Sequence, residues 1–392
     1  MRSVPRELSV RKKSKMIKIL FYIPGLSEGG AEKVLRNLVN NMDLTQFDIT
    51  VQTYEACDPD KYLVKGIHYR AIDRCKSRVG KKLFSLVYRL AAELRLAYSI
   101  WLKADYDIEV AYLETGATKV IAQSTNKNAV KVAWVHCDLS KKEGMTASVK
   151  KVCKQYRRFE HIVCVSKGVE DGFRRLYGMD FPTLVLSNVI DEDEVYQKAE
   201  APVEWRVDPA EKQLLAVGRL TYQKNFAHLI HTCCRLRADG CQFHLTILGE
   251  GPEREELERQ IRESGLESTV ELKGFVSNPY PYMKRADIIV CSSRYEGSST
   301  VVQEALILGK VVVTTPCCGM EELLGRSEYG VIAEDSDDGL YYGLKQLLSS
   351  ESLLAKYQRS AKQKGSTLKG KLTVLEAEHL FQNVLQDNKR NS

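Results

Sequence analysis

From residue 17 to about residue 385, short apolar runs alternate with longer stretches in which apolar residues recur every three or four positions. Runs at 17–23, 48–53, 108–112, 130–135, 161–165 and 183–186 read as strands, and the stretches between them have a helical period. Strands separated by helices describe a parallel sheet covered on both faces. A second series follows at 213–217, 243–248, 270–272, 287–291, 311–315 and 330–332. The pattern predicts an α/β protein made of two doubly wound, Rossmann-like parallel-sheet domains in tandem.

Between the series the period fails. The acidic run that starts at Asp191 and the stretch holding Pro202 and Pro209 mark a linker. The expected division is a basic tail at 1–15, a first domain at 16–190, a linker at 191–210 and a second domain at 211–370. A terminal helix at 371–392 is expected to return to the first domain. Two such sheets facing each other bind ligands in a cleft at the carboxyl ends of their strands. Chemistry is therefore expected in the loops just after strands.

Length and composition agree with two ordinary domains: 392 residues, 44% apolar and 28% charged, which excludes disordered, collagenous and coiled-coil classes. The net charge of +7 conceals an asymmetry. Residues 1–190 carry 33 Lys and Arg against 20 Asp and Glu, and residues 191–392 carry 25 against 31. A basic half is the footprint of nucleic acid, anionic membrane or phosphate-bearing substrates. No nucleic-acid motif with interleaved aromatics accompanies it, so nucleic acid is not expected as a partner.

The eleven cysteines are scattered in apolar runs or vicinal (Cys317, Cys318), without a C-x-x-C, and read as buried reduced thiols. Arg11, Lys12, Lys13 and Lys15 precede an apolar run as in a signal peptide, but the run is short and Lys18 interrupts it. No stretch of about 18 uncharged apolar residues occurs. A cytoplasmic protein, peripheral at most on the inner face of the cell membrane, is the expectation.

Three loops carry candidate chemistry. After the first strand, Gly29-Gly30 opens an apparent helix, where backbone N–H groups approach a phosphate; a plain tight turn is the alternative. It matches neither the dinucleotide fingerprint nor a Walker A loop. After the first strand of the second series comes Gly218-Arg219, followed by Lys224, and the two cations suit a diphosphate or a solvated surface equally. After its fourth strand, Glu296 lies in a glycine-bearing loop and Glu304 stands eight positions later, inside a helix. Loop and helix N–H groups suit phosphate, and the carboxylates suit sugar hydroxyls.

Gly29-Gly30, Gly218-Arg219 with Lys224, Gly249-Glu250-Gly251-Pro252, Lys273-Gly274-Phe275-Val276 and the E-x7-E of Glu296 and Glu304 occur in that order. Together they resemble a family 4 retaining glycosyltransferase of the GT-B fold, of the bacterial surface-polysaccharide type, over nearly the whole chain after residue 16. The resemblance implies a cleft in which Arg219 and Lys224 hold the leaving diphosphate, Glu296 the donor-sugar hydroxyls and Glu304 the ribose. It implies that the backbone near Phe275 and Val276 meets the base, and that Gly29 and Gly30 close on the diphosphate. His136, in the loop after the fourth run, would approach the sugar. Where many members have a second aromatic and a glycine, this chain has Gly297, Ser298, Ser299 and Thr300, small groups beside the phosphates.

The implied reaction transfers a sugar, with uridine diphosphate the favoured carrier, to a saccharide or a polyprenyl-diphosphate-linked saccharide. The implied route is retaining and needs no metal or other cofactor. A sugar-nucleotide 2-epimerase of the same fold and a silent binding subunit are the alternatives. Asp138, near His136, is the carboxylate that would contradict a route without a protein nucleophile. Finally, the segment 74–103 carries Leu83, Leu86, Leu90, Leu94, Ala97 and Trp101 in a stripe, with Lys81, Lys82, Arg89 and Arg95 off it. This predicts a basic amphipathic helix, packed on the sheet or facing an anionic membrane. Lys150, Lys151, Lys154, Arg157 and Arg158 add charge to the same domain.

Overall fold

The computed structural model describes residues 16–26, 29–75, 77–102, 105–141, 145–205 and 208–391. The basic tail at 1–15 and the side chain of Lys150 lie outside the described residues. Seven strands form the first sheet: β1 (Ile17–Ile23), β2 (Phe47–Glu55), β3 (His68–Asp73), β4 (Ile108–Ala111), β5 (Val130–Val135), β6 (His161–Cys164) and β7 (Thr183–Val185). Six form the second: β8 (Lys212–Val217), β9 (Phe243–Leu248), β10 (Val270–Gly274), β11 (Ile288–Cys291), β12 (Val311–Thr314) and β13 (Val331–Ile332).

The strand orders are β3-β2-β1-β4-β5-β6-β7 and β10-β9-β8-β11-β12-β13, and each described pairing is parallel. In both sheets the order reverses beside the first strand of the domain, between β1 and β4 and between β8 and β11. Loops diverge at such a reversal and leave a crevice. The loops after β1, β4, β8 and β11 carry Gly29-Gly30, Glu114, Gly218 to Lys224, and Glu296, so both crevices hold polar chemistry.

Helices cover the sheets by apolar stripes. In the helix Gly30–Asn41 the buried Val34, Leu35, Leu38 and Val39 fall on one face and press on the first sheet. Each fully buried side chain of this size contributes about 1.5–3 kcal/mol. The terminal helix Gly370–Asn391 buries Val374, Ala377, Phe381 and Val384 in the first domain's core, with Phe381 edge-on to Phe21 at 5.7 Å.

Three local expectations change. The strand β3 carries no continuous apolar run, because at the sheet edge its residues alternate between exposed and sheltered. The acidic run at the linker is a helix, Glu192–Ala199, whose N-cap Asp191 accepts from Glu194 N at 2.9 Å. Three acids in its first turn suit the helix dipole, so charge that reads as a linker signal is a helix start.

The segment 74–103 is two helices, Arg78–Glu93 and Ala97–Trp101, separated at Arg95 with φ 62°. Phe84 and Tyr88 turn inward against Tyr54 and Trp101, and the small Ala91 and Ala92 allow close approach. The leucines of the stripe face outward: Leu83, Leu86, Leu90 and Leu94 are 60–65% exposed. Rings four residues apart, not the leucines, fasten this helix to the domain. Lys81, Lys82 and Arg89 are exposed on it. All eleven cysteines are free thiols.

Candidate active site in the interdomain cleft

On the second domain, the loops after β8 and β9 touch through glycine. Gly249 has φ 155°, and a Cβ there would lie 1.8 Å from the Gly218 carbonyl oxygen, so no side chain fits. The Lys224 stem folds over Gly218 and brings its Nζ to Glu296 Oε1 at 2.6 Å, and Ser293 Oγ donates to the same oxygen at 2.6 Å. Burial disfavours the ammonium, but the Glu296 carboxylate outweighs it and holds Lys224 above the usual lysine range. Arg219 is exposed beside it, and among the described residues its guanidinium has no partner.

Glu304 lies in the helix Thr300–Ile307, whose N-cap Ser299 accepts from Val302 N. Its Oε1 receives Lys33 Nζ from the first domain and, at 3.3 Å, Tyr280 OH. Burial raises the Glu304 carboxyl above the usual range, and Lys33 opposes that shift. Phe275 is exposed and Val276 half-buried at the end of β10. Ser298 fixes the loop: its carbonyl accepts from Asn188 Nδ2 at 2.8 Å and its hydroxyl from Gln303 Nε2 at 3.1 Å.

The first domain supplies the opposite wall. Gly29 caps the helix Gly30–Asn41 with no side-chain hydrogen bond, and a Cβ on Gly30 would lie 3.7 Å from Thr300 Oγ1. Two helix amino termini therefore meet across the cleft, a geometry that favours an anion. One anion is already near: a Cβ on Gly29 would lie 2.2 Å from the Glu32 carboxylate. Phosphate bound there would displace Glu32.

His136 follows β5, and its carbonyl packs so tightly on Gly297 that a Cβ there would lie 2.0 Å away. The imidazole bonds to the Tyr112 backbone, while Nε2 is buried without a partner among the described residues. The donor is thus Nδ1, and a neutral ring keeps a lone pair on Nε2. Burial lowers the pKa to about 4 against a partly opposing Glu114. Glu114 orients the loop by accepting from His136 N at 3.2 Å and Cys137 Sγ at 2.8 Å.

Asp138 is held on both oxygens. Its Oδ1 takes Ser140 N and Oγ at 2.9 and 2.5 Å, and its Oδ2 takes Cys318 Sγ at 3.3 Å from the second domain. Among the described residues no group of three or more His, Cys, Asp or Glu is placed to hold a metal ion.

The fold thus brings Gly29, Gly30, His136, Gly218, Lys224, Glu296, Gly297, Ser298, Ser299, Thr300 and Glu304 to the two facing crevices. Arg219 and Phe275 stand at the rim. Sequence reasoning missed Lys33, Tyr280 and Glu114. Lys33 is one of many lysines in a basic half, and only its place one turn past a glycine pair sets it apart.

Residues 28–194 match the family model described as Glycosyltransferase Family 4, and residues 197–364 match that described as Glycosyl transferases group 1. The chain belongs to the family 4 glycosyltransferases of the GT-B fold. An N-acetylgalactosamine-N,N'-diacetylbacillosaminyl-diphospho-undecaprenol 4-alpha-N-acetylgalactosaminyltransferase of Campylobacter jejuni is 38% identical over 180 residues, 45% of this chain and 47% of that protein. This match spans about half the relative's length. The amylovoran biosynthesis glycosyltransferase AmsD of Erwinia amylovora is 25% identical over 361 residues, 88% of this chain and 94% of the relative.

Among solved structures, Anabaena Alr3699/HepE in complex with UDP and glucose superposes with a TM-score of 0.72 at 20% identity. That alignment covers 93% of this glycosyltransferase and 99% of that chain, a likeness of fold. The epimerase alternative finds no support among these relatives.

Proposed function

We propose that this glycosyltransferase moves a sugar from a nucleoside diphosphate sugar, with uridine diphosphate the leading carrier, to a saccharide acceptor in cell-surface polysaccharide synthesis. The acceptor is carried on a polyprenyl diphosphate, and the anomeric configuration is retained. One observation carries the reading: a charged Lys224 locked on Glu296 beside Arg219, whose guanidinium has no partner among the described residues, with the His136 loop packed on Gly297 from the other domain. Lys224 and Arg219 stabilise the departing diphosphate, which takes the acceptor's proton; no metal is required. His136, on the loop packed against Gly297, lies on the side of the donor sugar. Asp138, held by Ser140 and Cys318, has no covalent role in this route. The Campylobacter relative's lipid-linked acceptor and the UDP held by the Anabaena neighbour support the substrate classes.

The protein works at the inner face of the cell membrane, where the first domain meets the lipid. The helix Arg78–Glu93 supports this, with Leu83, Leu86 and Leu90 exposed beside Lys81, Lys82 and Arg89. Apolar groups to enter the interface and cations to meet anionic headgroups are what peripheral attachment uses. Incubation with a panel of nucleotide sugars and a polyprenyl-diphosphate saccharide tests the reading. A new glycosidic linkage of the donor's configuration, seen by proton NMR, is expected. An altered donor sugar without transfer refutes the activity, and an inverted linkage refutes the mechanism.

A further inference from the structure

The cleft contains a contact that the proposed chemistry does not use. Lys33, one turn into the helix that opens on Gly29-Gly30, crosses from the first domain and places its Nζ on Glu304 Oε1 and on the Tyr280 hydroxyl. The ammonium lies 4.6 Å from the centre of the Tyr280 ring. The pair is sheltered: side-chain exposure is 20% for Lys33 and 5% for Glu304.

Tyr280 and Glu304 belong to the second domain and stay together however the cleft moves. Lys33 leaves with the first. In an open cleft Glu304 therefore loses this cation and keeps only the Tyr280 hydroxyl of the two. The hydrogen bonds described on Glu304 land on Oε1, and among the described residues Oε2 has none.

We propose that Lys33 is a positioning residue delivered by domain closure. It docks on one oxygen of Glu304, keeps the carboxylate charged and fixed against Tyr280, and turns the other oxygen to the ribose hydroxyls of the donor. Hydrogen bonds to a charged acceptor are about twice as strong as neutral ones. Donor binding and closure are then linked through one cation, since a ligand shifts a two-state equilibrium only by its unequal affinity for the two states. This rests on the nucleotide-sugar reading and adds a residue to it.

The test titrates wild type, Lys33→Met and Lys33→Arg with UDP and with 2′,3′-dideoxy-UDP, and follows closure by small-angle scattering. Lys33→Met should weaken UDP on the order of tenfold, and compaction should need correspondingly more UDP. It should weaken 2′,3′-dideoxy-UDP much less, because the hydroxyls that benefit are gone. Lys33→Arg should recover most of the UDP affinity, which shows that the position tolerates exchange and that charge is what matters. Equal losses for both ligands would mean that Lys33 acts on the phosphates or on the fold, and would overturn the role alone. So would wild-type UDP affinity in Lys33→Met. Wild-type protein that binds none of a panel of nucleoside diphosphates would overturn the donor reading, and this role with it.

Discussion

His136 gives a prediction whose size follows from its surroundings. Burial holds its pKa at about 4 in the folded protein, against the ordinary imidazole value of 6.5. The folded pKa is the lower one, so below pH 6.5 the unfolded chain binds a proton that the folded chain refuses. Stability is then lost as pH falls from the unfolded value toward the folded one, and is fully present above both. At pH 5 the unfolded histidine is almost wholly protonated and the folded one is about one-tenth protonated, which corresponds to about 2 kcal/mol lost relative to pH 8.

His136→Gln removes the titration and keeps a polar group in the loop. Its absolute stability will fall, because the ring packs 4.9 Å from Tyr112, so the useful quantity is the difference between pH 8 and pH 5. His161 and His228 are also lowered by burial and add slopes of the same sign, but they remain in both proteins and cancel. Urea titrations at the two pH values should show the wild type losing about 2 kcal/mol more than the variant. Identical pH dependence in the two proteins would show that the imidazole is solvated or charged in the fold, and the argument for a lone pair on Nε2 would fail.

Transfer should persist undiminished in chelator, since Lys224 and Arg219 provide the charge a divalent ion would bring; loss restored by magnesium or manganese would refute this. Glu304→Ala should weaken nucleotide binding by about 1.5–3 kcal/mol, whereas Glu296→Gln should lower kcat and leave nucleotide Kd within about threefold, as isothermal titration and steady-state rates will read. Glu296→Ala is a poorer probe, because it leaves Lys224 buried and unpaired at a cost of about 3–5 kcal/mol. On acidic vesicles, replacing Lys81, Lys82 and Arg89 by Gln should remove the salt-sensitive part of binding, about 1 kcal/mol for each cation. Replacing Leu83, Leu86 and Leu90 by Ser should remove the part that survives high salt. Absence of vesicle binding by the wild type would refute the membrane reading.

The central strands were legible because a strand inside a parallel sheet is apolar on both faces and leaves an unbroken run, as in Ile17–Ile23 and Val311–Thr314. The edge strand His68–Asp73 leaves none and was missed. The motif residues were legible because they sit just past those strands, where the switch of strand order opens the cleft. Lys33 and Glu114 were not, since each matters through a partner distant in sequence: Lys33 meets Glu304 271 positions away, and Glu114 meets Cys137 23 positions away. The leucine stripe left its direction open for a different reason. Periodicity shows that one face of a helix is apolar, but packing of Phe84 and Tyr88 decides which face turns inward.

The charge asymmetry has a consequence for the cleft. The second half of the chain is net negative, with 31 acids against 25 bases, yet the proposed donor carries two phosphates. Net charge acts at a distance and is screened beyond about 8 Å at physiological salt, so it governs encounter with a surface rather than binding in a crevice. At contact range the local groups decide: Lys224, Arg219 and the amino terminus of Thr300–Ile307 are positive although their domain is not. The excess of positive charge in the first half is therefore not needed for the donor. Part of it lies on the exposed side of Arg78–Glu93, a helix that follows the edge strand β3, two strands from β1 and its Gly29-Gly30 loop, where it can act on a second anionic partner. If one basic surface served both donor and membrane, salt would weaken them together. Separate placement requires that moderate salt release the protein from acidic vesicles while its affinity for nucleotide changes far less.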